Sequence, residues 1–65
     1  MNVIINQQAH ALPDDATLAL ALERLGARPP FAAAVNQQFV PSAQHAQTRL
    51  NDGDKIEVIQ PVTGG

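Results

Sequence analysis

The sequence predicts an α+β fold: a mixed sheet of four to five strands with one main helix packed on one face. Three observations predict it. Short apolar runs at Val3-Ile4-Ile5, Phe31–Val35 and Phe39-Val40, and an alternating one at Lys55–Gln60, are too short for helices and fit strands. A single segment, Asp14–Gly26, is built from Ala and Leu and carries signals of a helix start and stop. The resulting order, with strands on both sides of one helix, suits a helix covering one face of a sheet.

Taken in order, Val3-Ile4-Ile5 is the first strand, and Asn6-Gln7-Gln8 is polar turn material. Ala9–Leu12 alternates weakly and returns as a second strand, stopped by Pro13. The stretch Thr17-Leu18-Ala19-Leu20-Ala21-Leu22 alternates with period two, as a strand does. Helix propensity overrules that pattern, as does the absence of β-branched residues after Thr17. Asp14, Asp15 and Thr17 are the N-cap candidates, and Gly26 is the residue just past the end. Leu18, Ala21, Leu22 and Leu25 then share one face, with Leu20 nearly opposite.

Arg28-Pro29-Pro30 forms a stiff connector into the strand Phe31–Val35. Asn36-Gln37-Gln38 is a turn, and Phe39-Val40 a short strand closed by Pro41. Ser42–Gln47 forms one helical turn behind a Ser cap, and Asn51-Asp52-Gly53-Asp54 is a tight turn. In the last strand, Lys55–Gln60, Ile56 and Val58 fall on one face. That strand is expected beside the first, so that the chain leaves from the middle of the sheet. Residues 1–65 read as one domain with no repeat and no linker, and 61–65 as a flexible C-terminal tail.

Composition narrows the function. At 65 residues, of which eleven are Ala, the core rests on the remaining Val, Ile, Leu, Met and Phe, enough for one helix on one sheet and too little for a deep cavity as well. No cysteine is present to build a disulfide framework or a thiolate metal site. A net charge of −2 with two aromatics argues against nucleic acid as a partner. No 18-residue apolar run is present to span a membrane, and the first residues, Met1-Asn2-Val3-Ile4-Ile5-Asn6, lack the pattern of a signal peptide. The expectation is a cytoplasmic protein, monomeric when free.

The sequence ends in Gly64-Gly65, three residues after the last strand. A random chain ends this way only about once in 200. Glycine reaches almost any φ/ψ and has no side chain, so such an end threads a narrow channel and presents a bare carboxylate there. A carboxylate is inert as an acyl donor until activated, for instance as an acyl-adenylate. Gly65 is therefore the candidate modified residue, and Gly64 the residue that gives access to it. No catalytic residue and no metal ligand is assigned. His10 and His45 are far apart without convergent partners, and both are expected in surface or turn positions. Asp52-Gly53-Asp54 lacks the remaining ligands of a calcium loop, and Asp14-Asp15 suits helix capping better than acid–base work. Ile4 and Ile59 have the strand parity opposite to the core positions, which places both on the open face together with a Phe from the middle hairpin. Ile4, Phe39, Ile59 and Val62 are the candidate docking residues.

Over essentially its whole length the chain resembles the ThiS family, the sulfur carriers of thiamine biosynthesis, which have the ubiquitin-like β-grasp fold. The resemblance rests on Val35-Asn36-Gln37-Gln38-Phe39-Val40-Pro41, on Asn51-Asp52-Gly53-Asp54-Lys55-Ile56-Glu57, on the terminal Gly64-Gly65 and, less specifically, on Thr17-Leu18 with Leu22 and Leu25. It implies a carrier that is a co-substrate rather than an enzyme and that binds no cofactor itself. A ThiF-type adenylyltransferase would use ATP-Mg to adenylate Gly65, and sulfide from cysteine through a desulfurase would leave a thiocarboxylate there. Thiazole synthase would then take the sulfur. One departure, Pro61-Val62, is more similar to the small subunit of molybdopterin synthase, which uses the same chemistry. A ubiquitin-like modifier joined to lysines through Gly65 is the other alternative.

Overall fold

The computed structural model describes residues 1–60. The elements are β1 (Asn2–Ile5), β2 (Gln8–Ala11), helix α1 (Leu18–Leu25), β3 (Ala32–Val35), β4 (Gln38–Val40), a 3₁₀ segment at Ser42–Gln47, and β5 (Lys55–Ile59). They form one five-stranded sheet in the order β2-β1-β5-β3-β4. The last strand is therefore the central one, parallel to β1 and antiparallel to β3.

Both hairpins close through two-residue turns in which each residue has positive φ: Asn6 (49°) and Gln7 (71°) in one, Asn36 (50°) and Gln37 (72°) in the other. This is the turn whose twist matches that of paired strands, and Asn suits its first position. The tripeptide Asn-Gln-Gln thus occurs twice in equivalent places, a short internal echo that the reading of the sequence as free of repeats passes over.

The two asparagines share a further task. β1 ends at Ile5, opposite Ile56, while β5 runs on to Ile59. There the Asn6 side chain replaces the missing strand: its Oδ1 accepts from the Val58 amide at 2.9 Å and its Nδ2 donates to the Val58 carbonyl at 3.3 Å. On the other edge, Asn36 Oδ1 accepts from the Lys55 amide at 3.0 Å, while its Nδ2 donates to Asp54. Each hairpin turns away and leaves an amide side chain bonded to the central strand.

The core lies between the sheet and α1. Val3, Ile5, Ala33, Ile56 and Val58 face Leu18, Ala21 and Leu22, with Leu12, Ala16 and Leu50 closing the sides. The alternation read in β5 is present, with Ile56 and Val58 buried and Lys55, Glu57 and Ile59 exposed. Leu20 and Leu25 are half-buried against the same core.

Three expectations need correction. The helix begins at Leu18, not at Asp14, and its cap is Thr17, whose Oγ1 accepts from the Leu20 amide at 3.3 Å. Asp14 and Asp15 sit in a preceding turn, because residues 16–18 are engaged elsewhere: Leu18 N–H donates to Thr48 O, and Ala16 O accepts from Leu50 N–H. Gly26 does end the helix, at φ 80°. Ser42 is not a cap either; Pro41 occupies that position, and no side chain caps the 3₁₀ segment. His45, expected at the surface, is 8% exposed, stacks on Phe31 at 5.7 Å between ring centroids, and donates from Nε2 to the Val40 carbonyl at 3.0 Å. His10 is half-buried in β2, and its Nε2 has no hydrogen-bond partner among the described residues.

Asn6→Ala leaves the buried Val58 amide without an acceptor and is expected to cost about 1–3 kcal/mol, read from the urea midpoint. Gln37→Gly removes a side chain from a left-handed position and is expected to raise stability by up to about 1 kcal/mol in the same measurement.

Candidate functional site

Because side chains alternate along a strand, the register assigns every residue of the sheet to one of two faces. Opposite the helix stand Asn2 and Ile4 of β1, Ala9 and Ala11 of β2, Ala32 and Ala34 of β3, Phe39 of β4, and Lys55, Glu57 and Ile59 of β5. Seven of these ten residues are apolar, whereas the solvated face of a sheet is ordinarily polar. Four of the seven are alanines, which lets another molecule approach the strand backbones closely.

Above this floor stand three large side chains. Phe39 is 67% and Ile59 66% exposed, and Ile4 is half-buried. Ile4 and Ile59 line a shallow hollow of about 330 Å³ together with Asn6, Lys55 and Ile56. Three of the docking candidates thus share one face of the structure: Ile4 and Ile59 in one hollow, and Phe39 two strands from β5. Lys55 and Glu57 were not singled out in the sequence as part of this surface. Their strand parity with Ile59 was the available signal.

Gly64, Gly65 and Val62, together with the tail call on 61–65, lie outside the described residues. The structure does fix where that segment begins. It follows Gln60, whose side-chain amide donates to the Arg28 carbonyl at 3.3 Å, at the end of the central strand.

The other side of the molecule holds a groove between α1 and the Pro29-Pro30 connector, lined by Leu22, Glu23, Phe31, Ser42 and His45 among others. Ser42 and His45 do not form a nucleophile–base pair. No hydrogen bond joins them among the described residues, and His45 Nε2 is committed to the Val40 carbonyl. Among the described residues no group of three or more His, Asp or Glu side chains is placed to hold a metal ion. No helix among them is long and apolar enough to cross a membrane.

Ile59→Asp is expected to shift stability by about 1 kcal/mol or less, because the side chain projects from the open face. Ile56→Ala, its buried neighbour on the opposite face, is expected to cost about 2–5 kcal/mol in a parallel thermal melt.

The geometry has counterparts among known proteins. The model of the ThiS family matches residues 3–65. The chain is 41% identical over 66 residues to the sulfur carrier protein ThiS of Escherichia coli, with 100% of each chain covered. The crystal structure of the thiamine biosynthesis protein ThiS from Geobacter metallireducens superposes with a TM-score of 0.81 at 19% identity over 100% of both chains. A solution structure of a thiamine biosynthesis protein from the same organism gives 0.82 at 19%, covering 100% of this chain and 88% of the other. At that identity the two structures speak for the fold, a β-grasp sheet with one main helix.

Proposed function

We propose, for a chain that belongs to the ThiS family and is a sulfur carrier of thiamine biosynthesis, that the main-chain carboxylate of Gly65 is the group that carries the sulfur. The observation that supports this most is the position of β5. The chain that ends in Gly64-Gly65 continues from the central strand, beside a sheet face with seven apolar residues out of ten. A partner seated on that face meets the strand from which the sequence continues to the terminus.

In this reading a carboxylate oxygen of Gly65 attacks the α-phosphorus of ATP, held with Mg in a ThiF-type adenylyltransferase, and pyrophosphate leaves. The terminal sulfur of a persulfide, formed from cysteine by a desulfurase, then attacks the acyl carbon and expels AMP; a thiol reductant cleaves the S–S bond of the resulting acyl disulfide, leaving a thiocarboxylate for thiazole synthase. The chain contributes the acyl group and the docking surface formed by Ile4, Phe39, Ile59 and Val62. Its partners contribute nucleotide binding and catalysis, so the chain acts as a co-substrate without a bound cofactor. The absence of cysteine suits this role, since no thiol of its own can attack the activated terminus. A cytoplasmic location accords with the ATP the partner consumes.

Pro61-Val62 raised the small subunit of molybdopterin synthase as an alternative. The 41% identity to a thiamine sulfur carrier across both whole chains does not favour it, nor does it favour a lysine-conjugated modifier.

Intact-mass measurement after co-expression with the adenylyltransferase and a sulfur source is expected to show one oxygen replaced by sulfur. An unchanged mass under every condition, with no AMP adduct, would sink the proposal. Gly65→Ala is expected to leave the thermal melt unchanged and to slow adenylation on the order of 10- to 100-fold, because an added methyl displaces the attacking carboxylate. Equal rates would count against a threaded terminus.

A further inference from the structure

The open face raises a problem of direction. Apolar attraction is proportional to buried area and has no orientation of its own. Four of the seven apolar residues here are alanines, which add little relief to fix one pose. A partner rotated by half a turn about the normal to the sheet covers much the same area. It then meets β5 running the wrong way, with the terminus pointing away from its nucleotide.

Two residues break that near-symmetry. Lys55 and Glu57 are the only charged residues in any strand; the other eight charged residues lie in α1 or in loops and turns. Both are exposed on the open face, and neither makes an ion pair among the described residues. They stand two residues apart on the central strand, about 7 Å along its axis. Toward the tail the order is positive charge, negative charge, Ile59, terminus.

We propose that Lys55 and Glu57 set the polarity of docking: the enzyme that activates Gly65 presents an acidic side chain to Lys55 and a basic one to Glu57, the basic one nearer its nucleotide site. In this pose both pairs attract; in the reversed pose like charges meet, which selects against the unproductive complex. The proposal rests on the reading that the open face is where that enzyme docks.

The test is ATP–pyrophosphate exchange by the adenylyltransferase with the full-length chain, followed over a range of salt concentration. Exposed charge pairs are screened as salt rises, so the wild-type kcat/KM is expected to fall. The double variant Lys55→Glu, Glu57→Lys keeps the net charge. It is expected to be slower by about tenfold or more at low salt, and to speed up as salt screens the repulsion. The neutral pair Lys55→Gln, Glu57→Gln is expected to lose the salt dependence, and serves the same purpose if the swapped chain fails to fold. A swapped chain that follows the wild type at every salt concentration overturns the proposal, as does a neutral pair with unaltered salt dependence. Ile59→Asp, measured alongside, separates the two readings. If it is slow while the swap has no effect, only the polarity falls; if it too exchanges at the wild-type rate, the docking face falls with it.

Discussion

The structure depends on keeping the central strand bonded along both edges although its neighbours are shorter than it is. β5 has five residues, and β1 and β3 each turn away through a two-residue hairpin beside it. An N–H or C=O left bare at Val58, in the middle of a small core, costs a substantial part of the stability that a chain of this size has. Asn6 and Asn36 resolve this in the same way, each presenting a side-chain carbonyl where a backbone carbonyl has turned aside. Asparagine is suited to both demands, since it tolerates the left-handed conformation of the turn and carries an acceptor and a donor on one short side chain. The ladders to β1 and β3 place the last strand at the centre, and the two asparagines extend its bonding beyond the ends of those ladders.

Much of this is legible in the residues themselves. Alternation at Lys55–Ile59, the turn residues between apolar runs, and the Ala/Leu helix closed by Gly26 are local features, and local rules recover them. What the sequence conceals is set at long range. Nothing near Asp14 shows that the following residues bond to Thr48 and Leu50, which holds them out of the helix and moves its start to Leu18. His45 looks like a turn histidine until the Val40 carbonyl, five residues before it, and the Phe31 ring enclose it. The matching Asn-Gln-Gln turns are visible, but their bonds to β5 are not, because pairing 52 residues apart for Asn6 and 19 for Asn36 leaves no periodic trace. For the open face, strand parity locates Ile4 and Ile59 and puts Glu57 beside Ile59, but in the sequence Lys55 and Glu57 look like ordinary solvated charges. The terminal glycines lie outside the described structure, and their role is read from the sequence and from family membership.

The two faces of the sheet divide the work of the molecule. Large branched side chains, Val3, Ile5, Ile56 and Val58, are gathered under the helix, where they hold the fold. Alanines and three separated large apolar residues are left on the other side, where they add little to stability. A chain with so small a core has little stability to give up to function, and this division lets the open face vary without unfolding the protein.

The central position of β5 also has a mechanical meaning. A force drawing on the tail is transmitted to a strand held by β1 on one side and by β3 on the other. Its line of action runs along both ladders, so their hydrogen bonds and the two asparagine clamps are loaded in shear and share the tension. Had the tail issued from an edge strand pulled outward, the bonds would open one after another, as in peeling. A pull applied beyond Gln60 is thus met where the domain best resists being unravelled.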